Sequence, residues 1–299
     1  MRLSLALLAL VGYALAGVYQ VNDYLDVEYI GNITIGTPEQ EFRYCFGTVS
    51  GVVGIDRVRF GSPRTDQLVI PRCKFGQAEK LPPSFARQPF DGILGLGFYS
   101  FSPIGTIPPF IEAMLQGLVS PMFTVFMKQD EQADGDGGVI TYGAVDKTNC
   151  GRDITWEPLS SSTSWQFTLS GVKSGGFSQH MHWQAISATA TSRIGAPSAV
   201  VHKIVTEAGA EYDKAKDVYF IRCNSSLTIE LDIGKRTYTI ETKNLIAPAD
   251  GDRCILALFD LESNGFGPSW ILGTPFIRQY CHTYDVESKK IGFARSLQK

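Results

Sequence analysis

His180 and His182 form a His-x-His pair. On a strand both rings would face one side, an arrangement that suits a divalent metal. No third ligand is evident, so the pair reads as part of a solvated loop and no metal site is expected. Ser192 lacks a Gly-x-Ser-x-Gly elbow, which argues against a serine hydrolase. The glycine runs match neither a phosphate loop nor a dinucleotide fingerprint, and no cofactor is expected. Asp56 and Asp91 remain as candidate acids. Asp91 lies inside the run Phe90-Asp91-Gly92, and both read as structural hydrogen-bonding groups.

The elements that would have to position any chemistry are β-rich. The chain has 299 residues, 44% hydrophobic and 19% charged, which excludes a disordered or collagen-like chain and allows one large domain or two lobes. Its 30 Gly and 15 Pro favour turns and strands over a helix bundle. A net charge of −3 without a basic block argues against a nucleic-acid partner.

Residues 1–16 read as a secretory signal. Arg2 precedes the apolar run Leu3 to Val11, and Ala14-Leu15-Ala16 is a small-x-small cleavage site before Gly17. The run is shorter than the roughly 20 residues a bilayer requires, so no membrane span is expected. All six cysteines follow it: Cys45, Cys73, Cys150, Cys223, Cys254 and Cys281. An even count in an exported chain points to disulfides, with fifteen full pairings open. Asn32-Ile33-Thr34 and Asn224-Ser225-Ser226 are glycosylation acceptors on the secretory route.

Turn and periodicity signals predict a series of elements. Tyr29 to Gly36 and Glu41 to Phe46 form a first hairpin. Val52, Val53 and Ile55 form a short apolar strand. Phe90 to Gly97 reads as a buried strand whose glycines allow tight backbone packing. Pro108 to Gly117 is a helix, Asp134 to Gly138 a polar Gly-rich tip, and Val139 to Tyr142 the strand leaving it. In the second half, Pro197 to Ala208 is a helix with Val200, Val201, Ile204 and Val205 on one side. Thr228 to Leu231 and Thr237 to Ile240 form a second hairpin, and 282–285 with 290–294 a terminal one. Trp270-Ile271-Leu272-Gly273 mirrors Ile93-Leu94-Gly95. The pattern suggests two related β-rich halves, 17–152 and 153–299.

Several of these stretches together carry a resemblance. They are Tyr29 to Pro38, Phe90 to Gly97, Trp165-Gln166-Phe167, Trp270 to Tyr280, and Tyr284-Asp285 through Ala294. The chain resembles the pepsin and cathepsin D group of aspartic peptidases over nearly all of residues 27–296. The resemblance implies an all-β, bilobal pepsin-like acid protease fold with a cleft between the lobes. It further implies acid endopeptidases delivered to the exterior or to lysosomes. It pairs Cys223 with Cys254 and Cys150 with Cys281, and leaves Cys45 and Cys73 either paired together or without their partners.

The chemistry of that family needs two carboxylates that share one proton and face one water. Each comes from an Asp-Thr-Gly turn, and the chain contains no such triplet. In the second half the motif's place is held by Ala188, Thr189, Ala190 and Thr191, with Ala188 where the acid belongs and Ala190 where the glycine belongs. In the first half Phe46 leads directly into Gly47 and Thr48, which resemble the family's later flap. The first catalytic turn is thus missing, the N-terminal lobe is shortened, and no typical propeptide is found.

The expected function is therefore a secreted, monomeric pseudo-peptidase that holds peptides or proteins in the cleft without cutting. The alternative is a functional acid endopeptidase whose catalytic segments are missing from this version of the sequence.

Overall fold

The structure is a computed structural model. It describes residues 17–24, 28–36, 40–44, 50–80, 90–102, 105–129, 133–262 and 267–298. The expected signal, Cys45 and the flap-like Phe46, Gly47 and Thr48 lie outside these residues.

Three sheets carry the chain. The largest has ten strands and runs from Leu68–Lys80 through Ser50–Phe60, Glu28–Ile35, Gly17–Tyr24, Ala133–Tyr142 and Met122–Met127. It continues through Tyr280–Asp285, Lys290–Arg295 and Thr155–Pro158, with Gln40–Tyr44 also on Glu28–Ile35. The second has seven strands: Arg236–Ile240, Ile229–Ile233, Gln166–Ser174, Phe177–Ser187, Trp270–Leu272, Ile194–Ala196 and Leu258–Asp260. A small sheet joins Glu211–Asp213, Val218–Arg222, Arg253–Leu256 and Ile246–Asp250.

Local patterning explains most of these elements. Ile229–Ile233 alternates buried and half-buried positions, as a strand with one covered face must. Phe123 to Met127 are all buried, because sheet neighbours and packed layers cover both faces. The helix Ser198–Ala208 buries Val200, Val201, Ile204 and Val205 and stops at Gly209, whose φ of 64° ends it in the left-handed region. The terminal hairpin pairs Tyr280–Asp285 with Lys290–Arg295, and its first strand also pairs with Met122–Met127. The end of the chain thereby closes the sheet built by its beginning.

One disulfide reinforces this closure and a second ties the small sheet. Cys150–Cys281 spans 131 residues and Cys223–Cys254 spans 31. Both pairings are those the resemblance implies. On a chain-entropy account they stabilise by about 5 and about 4 kcal/mol respectively. Cys73 is a free and fully buried thiol. Burial, with a smaller contribution from Glu112, pushes its pKa up to about 12.

Four expectations need correction. Phe90 to Gly97 forms no named strand. Leu94, Leu96 and Phe98 are buried at alternate positions, so the segment is extended with one face inward, but beyond a single bridge at Gly92 it carries no ladder among the described residues. Its glycines are not tightly packed either: among the described residues nothing lies within 4 Å of a Cβ built on Gly92, Gly95 or Gly97. Val52, Val53 and Ile55 belong to an eleven-residue strand, and each is about half exposed. Asp134 to Gly138 is not a tip but part of the strand Ala133–Tyr142. Register shifts in its pairing with Gly17–Tyr24, and a φ of 116° at Gly138, let the glycine-rich stretch stay in the sheet. His180 and His182 lie on the strand Phe177–Ser187, not on a loop. Both are exposed where the register against Gln166–Ser174 shifts.

Candidate functional site

The residues at the vestigial turn are held by an interlock of three short strands. Phe177–Ser187 enters the turn and Ile194–Ala196 leaves it, while Trp270–Leu272 lies between these two legs. It pairs in parallel with the first, Ser187 opposite Leu272, and antiparallel with the second, Ile194 opposite Leu272. The Ala188 N–H donates to the Leu272 carbonyl at 3.0 Å, and the Thr191 N–H donates to Ala188 at 3.3 Å. Beyond the strand, the Thr274 N–H donates to the Thr191 carbonyl at 2.8 Å. Gly273 is obligatory here, since a methyl group would overlap the carbonyl oxygens of Thr191 and Arg193.

Ala188 and Thr189 are half-buried and Ala190 is exposed. Thr189 lines a cavity of about 20 Å³ together with Val21, Tyr29, Gly31, Leu96, Met127 and Ile140. Among the described residues no carboxylate, imidazole or thiol lines it. A methyl at position 188 can neither bind a shared proton nor orient a water, so this turn offers no acid and no base to a bound amide.

Behind the turn lies a polar chain that the sequence reading did not find. Ser187 Oγ stands 2.7 Å from His282 Nδ1 and 2.7 Å from the Tyr284 hydroxyl. His282 is fully buried and Tyr284 nearly so. Phe276 and Phe293 close on the imidazole, at ring centroids 5.0 and 4.8 Å away. Burial lowers the His282 pKa from 6.5 to about 3. Burial also pushes the Tyr284 phenol up, an effect partly offset by its hydrogen bond to Ser187. The signal that could have found this group is the run Cys281 to Asp285, all buried and mostly polar. A polar residue in a strand covered on both faces needs a partner. Nothing local points to Ser187, which stands 95 residues away from His282.

The other candidates are scattered. Asp56 Oδ1 accepts the Arg57 N–H at 2.6 Å, a local structural bond. Asp91 is exposed. His180 lies 3.8 Å from Asp232, and no group of three metal-ligating side chains occurs among the described residues. Among the described residues no helix is long and apolar enough to cross a membrane. The two glycosylation acceptors differ: Asn32 Nδ2 donates to Ser62 Oγ at 2.9 Å within the sheet, while Asn224 is exposed on a turn. Trp165 joins the halves, its Nε1 donating to the Leu96 carbonyl at 2.9 Å while its ring lies 4.9 Å from Tyr284.

Strand-built halves, a return of the last hairpin into the first sheet and an interlocked turn at their junction define a bilobal, all-β protein of the pepsin type. The sequence profile of the eukaryotic aspartyl protease family matches residues 42–296, and the chain belongs to that family. It is 40% identical to Aspartic protease 6 of Caenorhabditis elegans over 327 residues, 93% of this chain and 84% of that protein. It is 42% identical to Aspartic protease 2 of Necator americanus over 253 residues, 84% of this chain and 59% of that protein. It is 30% identical to Pepsin A of Bos taurus over 329 residues, 92% of this chain and 86% of that protein. The first alignment is longer than the part of this chain it covers: 93% of 299 is about 278, against 327, a difference of about 49 positions.

Two outcomes check the geometry. Gly273→Ala is expected to destabilise by about 3 kcal/mol or more, because the overlap is with backbone. Gly95→Ala is expected to be neutral or stabilising by up to about 1 kcal/mol. Urea titration of both variants reads the contrast. The second outcome concerns acid. A base whose folded pKa is depressed contributes stability that is complete above its unfolded value of 6.5 and is lost as pH falls toward about 3. The His282 contribution should therefore fall by up to about 1.4 kcal/mol per pH unit across that window. His282→Asn should flatten the dependence, as read by urea midpoints from pH 7 to 4.

Proposed function

We propose that this chain is a non-catalytic member of the aspartyl protease family, which uses its interlobe cleft to hold a peptide or protein segment without cleaving it. The observation that carries the reading is Ala188 on the turn that the interlock holds in place. The family mechanism needs a carboxylate there, paired with a second one from the other half. The alignment difference of about 49 positions supports a missing segment, which this reading assigns to the first half. Residues 17–152 and 153–299 then form a shortened N-terminal lobe and a complete C-terminal lobe.

We also infer that residues 1–16 direct the chain to the secretory route, to the exterior or to lysosomes. Two disulfides support this compartment. Within it, Asn224 is the more accessible acceptor for a glycan, and Asn32 the less accessible one.

A second reading is favoured by the same alignment difference: a working acid endopeptidase of which this is a shortened version. A restored first lobe would supply one carboxylate, but Ala188 and Ala190 lie in a continuous stretch and would still withhold the other. Sequencing transcripts across residues 40–60 and 184–197 separates the readings. A transcript encoding aspartate at 188 and the first turn would establish the second.

The direct assay is digestion of an unfolded protein substrate at pH 3 to 5 by the purified secreted chain. No cleavage above a mock preparation is expected, whereas cleavage blocked by a transition-state-mimic inhibitor would contradict the proposal. Endoglycosidase should shift the mobility of the same preparation, and Asn224→Gln should abolish that shift.

A further inference from the structure

We propose that the outer edge of the ten-stranded sheet is a docking site for an extended acidic peptide segment, separate from the interlobe cleft. Among the described residues Leu68–Lys80 is the last strand of that sheet and pairs on one side only, with Ser50–Phe60. The unpaired side of such a strand offers a row of backbone donors and acceptors to an incoming strand.

A groove of about 680 Å³ runs between this hairpin and the helix Pro109–Leu115, within the size range of ligand sites. The side chain of Gln116 reaches the Arg72 carbonyl at 3.4 Å. The backbone of the outer strand is therefore accessible from the groove, and a peptide lying there could pair with it.

The groove's charge selects the occupant. Arg72 and Lys74 both line it and both are exposed. They stand two residues apart and share one face of the strand, whereas Cys73 between them is buried. Among the described residues no ion pair engages either cation. Glu112, the acid of the lining, already accepts a hydrogen bond from Gln116 at 2.7 Å. Ile55, Tyr99 and Leu115 supply the apolar part and are 54%, 56% and 64% exposed. Only every second side chain of an extended peptide faces the groove, so acidic and aliphatic residues taking turns at those positions would meet the two cations and these apolar groups. A single-chain carboxylate amphiphile would match the charge and the apolar surface but leave the strand edge unused, so the peptide is the better fit.

Fluorescence polarisation with the intact chain tests this. The probes are labelled decapeptides with Ser at every second position and, at the positions between, Glu and Leu in turn or Lys and Leu in turn. The Glu peptide is expected to bind saturably and at least tenfold more tightly than the Lys peptide. Arg72→Glu with Lys74→Glu is expected to reverse that order. Leu115→Glu, a single surface change, provides a second variant and should weaken the Glu peptide at least fivefold. A transition-state mimic directed at the cleft should leave binding unchanged, so failure here and failure of the cleft reading are distinguishable. Equal binding of the two peptides, an order that survives charge reversal, or displacement by the mimic or by dodecanoate would overturn the proposal. Absence of saturable binding by either peptide would also overturn it and leave Arg72 and Lys74 as guards against edge pairing.

Discussion

The interlock around Trp270–Gly273 is the constraint on which the second half depends. A strand can pass between the two legs of one loop only where both ladders close and its end carries no side chain. Trp270–Leu272 satisfies the ladders on either side, and Gly273 permits the contact with Thr191 and Arg193. The turn from Ala188 to Thr191 is fixed from below by hydrogen bonds that do not involve its side chains. That is why the turn can keep its shape while its chemistry has gone. The equivalent stretch of the first half, Ile93-Leu94-Gly95, has the same residue types in the same order. It has no loop to pass through among the described residues, and it forms no strand.

The alanine at position 188 leaves no charge at this turn for the groups behind it to compensate. A buried acid pair needs a proton and hydrogen-bond donors around it. Here the space next to the turn is apolar, and the polar groups have withdrawn behind the strand, where Ser187 bridges His282 and Tyr284. That bridge binds the end of Phe177–Ser187 in the seven-stranded sheet to Tyr280–Asp285 in the ten-stranded one. It works with a neutral imidazole, which favours neutral over acid conditions, whereas the family resemblance implies acid-working enzymes. At this junction the turn and its support hold structure, and the Ala188 methyl has no group that could activate water.

Much of the fold could be read from residue patterns. The terminal hairpin, the hairpin around Gly234 and the helix Ser198–Ala208 follow from alternation, turn glycines and helical spacing, because each is determined locally. The disulfides came from resemblance, since six cysteines alone leave fifteen pairings open. Phe90 to Gly97 was misjudged because a strand exists only with a partner, and the sequence pattern records the strand's own propensity alone. Asp134 to Gly138 was misjudged because bulges and a positive φ let glycines remain in a sheet when both neighbours are in place. The absence at Ala188 was legible as a substitution in a recognisable frame. The Ser187, His282 and Tyr284 group was not, because its members meet through tertiary packing alone.

Amide hydrogen exchange at neutral pH tests the account most directly, because it compares the two halves within one molecule. Buried, doubly paired amides open only with large unfolding events, while extended segments without a ladder exchange freely. The amides of Ala188 and of Ile271 and Leu272 should exchange at the slowest rates in the chain, and those of Ile93 to Gly97 orders of magnitude faster. Comparable protection of the two stretches would mean that the first half carries an interlock of its own, and the account would fail.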